Sequence, residues 1–116
     1  MTVKEFYDAA GGGYEEMLAK FSSDATITAF LKIFKRDTNY AKLLEMLDAD
    51  DTEGAFQAAH TFKGVVLNLN IVGLIDPVCN VVEALRAGNI DEAKALAPAL
   101  KQSYDKAWDA LIQLLP

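Results

Sequence analysis

The chain has 116 residues, 52% of them apolar, and a formal net charge of −6, a composition that indicates one globular domain rather than a disordered tail. Its single cysteine, Cys79, and single histidine, His60, exclude an internal disulfide framework, a Cys/His zinc cluster and a dinuclear Glu-x-x-His site. The negative charge argues against a nucleic-acid partner, because phosphates require a basic protein face.

Two short helices are predicted at the N-terminus. Thr2 and Glu5 have the spacing of a capping box, and the helix that they open ends at Gly11-Gly12-Gly13. An apolar stripe at i, i+3, i+4 and i+7 predicts a second helix over Tyr14–Phe21. No basic segment followed by an apolar stretch opens the chain, so we expect no secretory leader and a cytoplasmic location.

Three further helices follow in the middle of the chain. Ser22-Ser23-Asp24 supplies an N-cap, and the apolar stripe after it predicts a third helix that ends near residues 37–39. A fourth stripe, from Tyr40 to Leu47, is closed by the acidic turn at residues 48–51. A fifth helix is predicted from Asp51 or Thr52 to about Leu69.

The start of the sixth helix has two interpretations. It begins near Ile71 and kinks, or it begins with Asp76 as the cap and Pro77 at the first helical position. In both cases it ends at Arg86-Ala87-Gly88. The last helix is predicted from Asn89 or Asp91 to Leu115, with Ala93, Leu96, Leu100, Tyr104, Ala107, Trp108, Leu111, Ile112 and Leu115 facing inward.

One stretch, residues 64–82, approaches the length of a membrane span and contains a single charged residue, Asp76. Asparagines and Pro77 interrupt it, so we interpret it as a buried part of a helical protein and expect no membrane association. Short connections between amphipathic helices favour antiparallel neighbours. We therefore predict a single all-α domain over residues 1–116. Residues 24–116 would form an up-down-up-down antiparallel four-helix bundle, flanked by one or two short helices in residues 1–23.

The fifth predicted helix has two chemically different sides. On a helical wheel its apolar side consists of Ala55, Ala58, Ala59, Phe62, Val66 and Leu69. The only histidine, His60, lies on the opposite side, within about 60° of Glu53, Phe56, Gln57, Lys63, Gly64 and Leu67. The histidine is therefore expected to face away from the core.

The residues around His60 suggest phosphoryl chemistry. An unprotonated imidazole is a nucleophile near pH 7, and Lys63, at i+3, can place an ammonium beside a group attached to it. Gly64, at i+4, costs about 0.5–1 kcal/mol relative to alanine inside a helix, and a need to clear space for a tetrahedral anion would explain it. Phe56, Gln57 and Leu67, on the same side, are predicted docking contacts for a partner.

The sequence offers no pair of aspartates for Mg²⁺, no glycine-rich phosphate loop and no ATP site. We therefore expect a phosphoryl carrier without a cofactor of its own, rather than an enzyme, with Mg²⁺ and the activated phosphoryl donor on a partner.

A six-residue motif surrounds the histidine, Ala59-His60-Thr61-Phe62-Lys63-Gly64. With the residues that follow it, namely Asn68, Leu69, Leu74, Glu83, Leu85, Arg86 and Gly88, it resembles the histidine-containing phosphotransfer (HPt) domain, whose signature is A-H-x-[LF]-K-G. The resemblance covers residues 24–88 well and the two ends loosely. It implies a four-helix bundle that carries phosphoryl groups in two-component phosphorelays.

The resemblance also implies roles and partners. His60 would accept a phosphoryl group on Nε2 from the aspartyl phosphate of a response-regulator receiver domain and pass it to another, with a hybrid histidine kinase upstream. Lys63 would support the phosphoryl oxygens and Gly64 would give them room. The receiver would supply Mg²⁺.

Three features depart from the family pattern. Val65 and Val66 stand where small Ser or Ala residues are common, a difference expected to alter packing only. Asn70 replaces the glycine of an N-L-G turn, and asparagine tolerates the left-handed conformation that such a turn needs. Val82 stands where the family often has Gln or Glu to hydrogen-bond the histidine, which valine cannot do. Glu83 and Asn80 are the candidates that remain for orienting His60.

Three alternatives stay open. The chain could be the phosphoacceptor module of a larger histidine kinase, or a helical adaptor in which His60 is never phosphorylated. Cys79 could act as a nucleophile paired with His60, although its apolar segment favours a small buried hydrophobic residue. We expect a monomer, because His60 must remain accessible.

Overall fold

The chain is entirely helical. The computed structural model describes all 116 residues and contains seven α-helices and no strand. The helices are α1 (Val3–Ala9), α2 (Tyr14–Phe21), α3 (Asp24–Arg36), α4 (Asn39–Asp48), α5 (Thr52–Leu69), α6 (Val72–Arg86) and α7 (Ile90–Leu114). The predicted all-α class is confirmed.

Side chains cap the N-termini of four helices. Thr2 and Glu5 form the predicted capping box, in which Thr2 Oγ1 accepts from the Glu5 N–H at 3.1 Å and the Thr2 N–H donates to Glu5 Oε1 at 3.0 Å. Ser23, Asp51 and Asn89 each accept a hydrogen bond from the first turn of α3, α5 and α7. Each such cap stabilises its helix by about 1 kcal/mol, which explains why α5 begins directly after Asp51.

The longer helices pack against their neighbours along the chain. α4 packs on α5, α5 on α6 and α6 on α7, and α4 also contacts α7. The core consists of 29 buried residues, all hydrophobic, and every one of the seven helices contributes to it. α5 is therefore held by packing on both of its neighbours.

The N-terminal helices are anchored at the junction between α5 and α6. The Tyr7 hydroxyl donates a buried hydrogen bond to the carbonyl oxygen of Leu69, the last residue of α5, at 2.7 Å. The Gly73 N–H, in the first turn of α6, donates to the Ala10 carbonyl oxygen at 2.8 Å. Gly11 has a φ of 109°, and a Cβ there would approach Gly73 N to 2.6 Å. The N-terminal segment, predicted to flank the bundle, therefore also contributes buried side chains to the core.

The helix starts and inward faces differ in places from the sequence prediction. α6 begins at Val72 and continues through Pro77, so the earlier of its two predicted starts is the observed one. α7 continues through Pro98. Ile112, predicted to face inward, is 42% exposed, and that prediction was wrong. The buried side of this part of α7 is set by Leu111 and its neighbours at i−1 and i−4, and Ile112 lies about 100° from Leu111 around the helix.

A left-handed residue separates α5 from α6. Asn70 has φ 51° and ψ 44°, the conformation that its place in the turn predicted. The apolar stretch at residues 64–82 is thus divided between two helices. No helix of the chain combines the length and the apolarity needed to cross a membrane.

Candidate functional site

The two sides of α5 differ in burial as the sequence predicted. The six residues of its apolar side, Ala55, Ala58, Ala59, Phe62, Val66 and Leu69, are all at most 7% exposed. On the other side His60 is exposed, together with Glu53, Gln57 and Leu67. The histidine therefore projects to solvent from a helix whose backbone is fixed by core packing.

The imidazole of His60 has one aromatic neighbour and no hydrogen-bond partner in the protein. Its ring is nearly parallel to the ring of Phe56, one turn earlier in α5, with 5.7 Å between the ring centroids and 17° between the planes. No side-chain hydrogen bond of the protein involves either ring nitrogen. Both nitrogens are therefore free to meet an incoming group.

Lys63 and Gly64 occupy the next turn of α5. Lys63 is half-buried, and all four salt bridges of the protein use other cations, so its ammonium is available to an anion. A Cβ added to Gly64 would meet no atom within 4 Å. At Gly54, in the first turn of the same helix, a Cβ would lie 2.5 Å from Asp51 Oδ2. A Cβ at position 54 would thus displace the side chain that caps α5, whereas packing does not explain the glycine at position 64.

An arginine from the neighbouring helix reaches this side of α5. The Arg86 guanidinium, at the end of α6, lies over the Phe56 ring with 5.1 Å between Cζ and the ring centroid. Arg86 Nε also donates to Glu83 Oε1 at 3.4 Å. Sequence patterns gave no sign of this contact, because the two residues are thirty positions apart and nothing local to either one indicates that α5 and α6 bring them together.

The two residues predicted to orient His60 do not hydrogen-bond it. The Glu83 carboxylate accepts from Arg86, and Asn80 makes no side-chain hydrogen bond. Both line a groove of about 290 Å³ between α6 and α7, beside Glu92 and Leu96. Val82 is fully buried. The orienting role of Glu83 or Asn80 stays a prediction.

The predicted docking residues lie on the same side of α5 as the histidine. Leu67 is 45% exposed, which is high for a leucine, and Gln57 is exposed. Phe56 is half-buried, and its ring lies near both the His60 ring and the Arg86 guanidinium. The docking role of these three residues stays a prediction.

The remaining reactive groups do not join this site. Cys79 is a half-buried free thiol and makes no hydrogen bond to His60. In the acidic turn, Asp50 pairs with Lys94 and Asp51 caps α5. No group of three or more His, Cys, Asp or Glu side chains is placed to hold a metal ion.

The site thus combines an exposed imidazole, an unpaired ammonium one turn away and open space above Gly64. An arrangement of this kind can attack an electrophilic centre and hold a tetrahedral anion, because the nucleophile, the counter-charge and the free volume lie on one helix face. Comparison of the chain with protein-family models, curated proteins and solved structures finds no match.

Proposed function

We propose that this chain is an HPt domain protein, a phosphorelay intermediate that accepts a phosphoryl group on His60 from a receiver aspartate and passes it to another receiver. The observation that carries the proposal is the position of His60: exposed and free of hydrogen bonds, on the side of α5 opposite the core, with Lys63 and Gly64 in the next turn. The motif around His60 supplies the resemblance to the family.

The transfer step needs only groups that the two proteins would bring. The His60 Nε2 lone pair attacks the phosphorus of the aspartyl phosphate, and an N–P bond forms as the P–O bond to the aspartate breaks. The aspartate leaves as a carboxylate with the bonding electrons. The proton on Nδ1 can pass to solvent, since no protein atom holds it.

The neighbouring side chains would stabilise the transferred group. The Lys63 ammonium is unpaired and can donate to the phosphoryl oxygens in a charge-assisted hydrogen bond. The open volume above Gly64 would hold the group without a clash. Phe56, Gln57 and Leu67 would contact the receiver around the transfer point.

In this proposal the chain is a carrier with no turnover of its own. The receiver supplies Mg²⁺ and the acidic pocket, and a hybrid histidine kinase supplies the phosphoryl group upstream. Because receivers and kinase domains of such relays act in the cytoplasm, we place the protein there. A carrier that reacts in turn with two receivers needs its histidine exposed, which a monomer satisfies.

The proposed architecture is an up-down-up-down four-helix bundle, flanked by the N-terminal helices. The packing of α4 on α5, α5 on α6 and α6 on α7, with α4 also meeting α7, supports α4 to α7 as its four members. The expected bundle range, residues 24–116, also contains α3, which contacts α1, α2 and α5 and would flank the bundle with the N-terminal helices. Such a bundle would keep His60 at a fixed position on a rigid surface.

The test is a transfer assay. The protein is incubated with a receiver that has been phosphorylated by acetyl phosphate and Mg²⁺, and the label on the chain is then followed through acid and base. We expect acid-labile, base-stable label on the wild type and none on His60→Gln. Equal label on both, or none on either with several receivers, would refute the proposal and favour the helical adaptor.

A further inference from the structure

We infer that Phe56 and Arg86 are positioning residues that hold the His60 imidazole in its reactive orientation through a three-group stack. The inference rests on the proposed function, since it concerns how His60 is presented to the phosphoryl donor. It starts from the observation that the imidazole has an aromatic neighbour but no hydrogen-bond partner.

The Phe56–His60 pair restrains the imidazole without covering its nitrogens. The two planes are 17° from parallel with centroids 5.7 Å apart, which is within the range of favourable aromatic pairs. The lone pair of a ring nitrogen lies in the plane of the ring, whereas stacking occupies one face. The contact therefore limits rotation of the side chain and leaves Nε2 open to in-line attack.

Arg86 restrains Phe56 in turn. Its Cζ lies 5.1 Å from the Phe56 centroid, within the distance of a cation–π contact, and its Nε donates to Glu83. Because Arg86 is on α6 and Phe56 on α5, the guanidinium ties the aromatic ring to the neighbouring helix. The stack then consists of Arg86, Phe56 and His60 in that order, and Glu83 holds the Arg86 guanidinium by a hydrogen bond.

This stack would fix the orientation of the imidazole ring, as a hydrogen bond to Nδ1 does for many histidines. A hydrogen bond fixes both the ring orientation and the tautomer, whereas a stack fixes the orientation alone. We therefore expect both neutral tautomers of His60 to be populated and Nδ1 to exchange its proton with water. The proton released after transfer would leave by the same route.

Phosphotransfer kinetics of matched variants test the role of Phe56. Phe56→Leu keeps an apolar side chain but removes the ring, and it should lower the transfer rate at saturating phosphoreceiver about two- to tenfold, the range given by the energy of one aromatic pair. Phe56→Tyr should restore the rate. The control is Phe30→Leu, which removes from α3 an exposed ring that packs against Phe21 of α2 and not against His60, and it should transfer at the wild-type rate.

The saturating rate separates positioning from docking. A residue that serves only as a receiver contact raises the receiver concentration needed for half-maximal transfer and leaves the maximal rate unchanged. NMR gives a second readout that needs no receiver. The His60 Hδ2 and Hε1 resonances should move on Phe56→Leu, as the ring current is lost, and should not move on Phe30→Leu.

A double-mutant cycle tests the role of Arg86. Arg86→Gln should lower the maximal rate about two- to fivefold in the wild-type background, as expected for a cation–π contact near the surface. It should have no effect in the Phe56→Leu background, because Arg86 acts on His60 only through Phe56. Equal effects in both backgrounds would show that Arg86 acts independently and would overturn its place in the stack.

The outcomes separate this inference from the proposed function. If the wild type accepts no phosphoryl group, the proposed function is refuted and the inference falls with it. If the wild type accepts the group and Phe56→Leu has the same maximal rate and the same His60 resonances, the inference alone is refuted. A lower maximal rate with rescue by Phe56→Tyr, together with moved resonances, supports it.

Discussion

Replacing Gly64 by alanine should stabilise the fold and impair its function. A Cβ at this position meets nothing within 4 Å, and the backbone there is ordinary helix, so the added methyl group costs no strain. Alanine is preferred over glycine inside a helix by about 0.8–1 kcal/mol. We therefore expect the free energy of unfolding to rise by about 1 kcal/mol, and the melting temperature by about 3–6 °C for a chain of this size.

The same methyl group would occupy the open volume beside His60. If the phosphoryl group needs that volume, Gly64→Ala should slow transfer by about ten- to a hundredfold, the cost of a small misplacement of reacting groups. Thermal unfolding followed by circular dichroism and single-turnover transfer from a phosphoreceiver measure the two effects on the same samples.

Gly54 provides a matched control in the same helix. A Cβ at Gly54 would lie 2.5 Å from Asp51 Oδ2 and 2.9 Å from Met46 Sδ, so the N-cap would have to move. Loss of an N-cap costs about 1 kcal/mol, which offsets the gain in helix propensity from glycine to alanine. Gly54→Ala should therefore show no increase in the free energy of unfolding. A stabilised Gly64→Ala that transfers at the wild-type rate would refute the explanation of Gly64 as cleared space. A destabilised one would show that this glycine has a packing role.

Three further variants test the site and the core. Lys63→Ala should slow transfer about tenfold or more, because a charge-assisted hydrogen bond to the phosphoryl oxygens is lost. The free energy of unfolding, measured in urea, should change by less than about 0.5 kcal/mol. An unchanged transfer rate would contradict the role of the ammonium. Tyr40→Phe should stabilise the protein by about 1 kcal/mol, since the buried Tyr40 hydroxyl has no hydrogen-bond partner. Burial raises the pKa of Tyr40 from 10.0 to about 12, so between these pH values only the unfolded state ionises and stability falls as pH rises. In urea unfolding, the free energy of unfolding of Tyr40→Phe should exceed that of the wild type by about 1 kcal/mol more at pH 11 than at pH 8. The same excess at both pH values would show that the phenol is not buried. Tyr7→Phe should lower the free energy of unfolding by about 1–3 kcal/mol, because the Leu69 carbonyl loses its buried hydrogen-bond donor. Native-state proteolysis should then cut the N-terminal helices faster in the variant. Cleavage of the variant at the wild-type rate would show that these helices are held by packing alone.

The sequence predicts much of this fold because local signals and tertiary packing agree. On α5 the apolar period of 3.6 residues identifies the buried side correctly at all six positions, from Ala55 to Leu69, and leaves His60 exposed. The capping box at Thr2 and the left-handed Asn70 are likewise local, since each depends on the backbone of a single turn.

The start of α6 could not be decided in the same way. Asp76-Pro77 is a valid local start signal, yet the helix begins at Val72. The contact that favours the earlier start comes from the other end of the chain, where the Ala10 carbonyl oxygen accepts from the Gly73 N–H. No pattern within a window of the sequence contains that hydrogen bond.

In the candidate site too, some features follow from local sequence spacing and others from the packing of helices distant in sequence. His60, Lys63 and Gly64 lie within one and a half turns of a helix, so their spacing alone places them on one face. The contact of Arg86 with Phe56 depends on how α5 and α6 pack, and it became visible only in the structure. Residues that hold a reactive group through another helix are therefore the ones that sequence patterns miss.

A single-turnover pulse-chase tests the central claim most directly. The chain is first labelled by a phosphorylated receiver, freed of that receiver, and then mixed with a second receiver that is unphosphorylated and carries Mg²⁺. We expect the label to leave His60 and to appear as base-labile aspartyl phosphate on the second receiver, and we expect His60→Gln to carry no label at either stage. Label that fails to enter the wild-type chain, that enters His60→Gln as well, or that enters and reaches no receiver would contradict it.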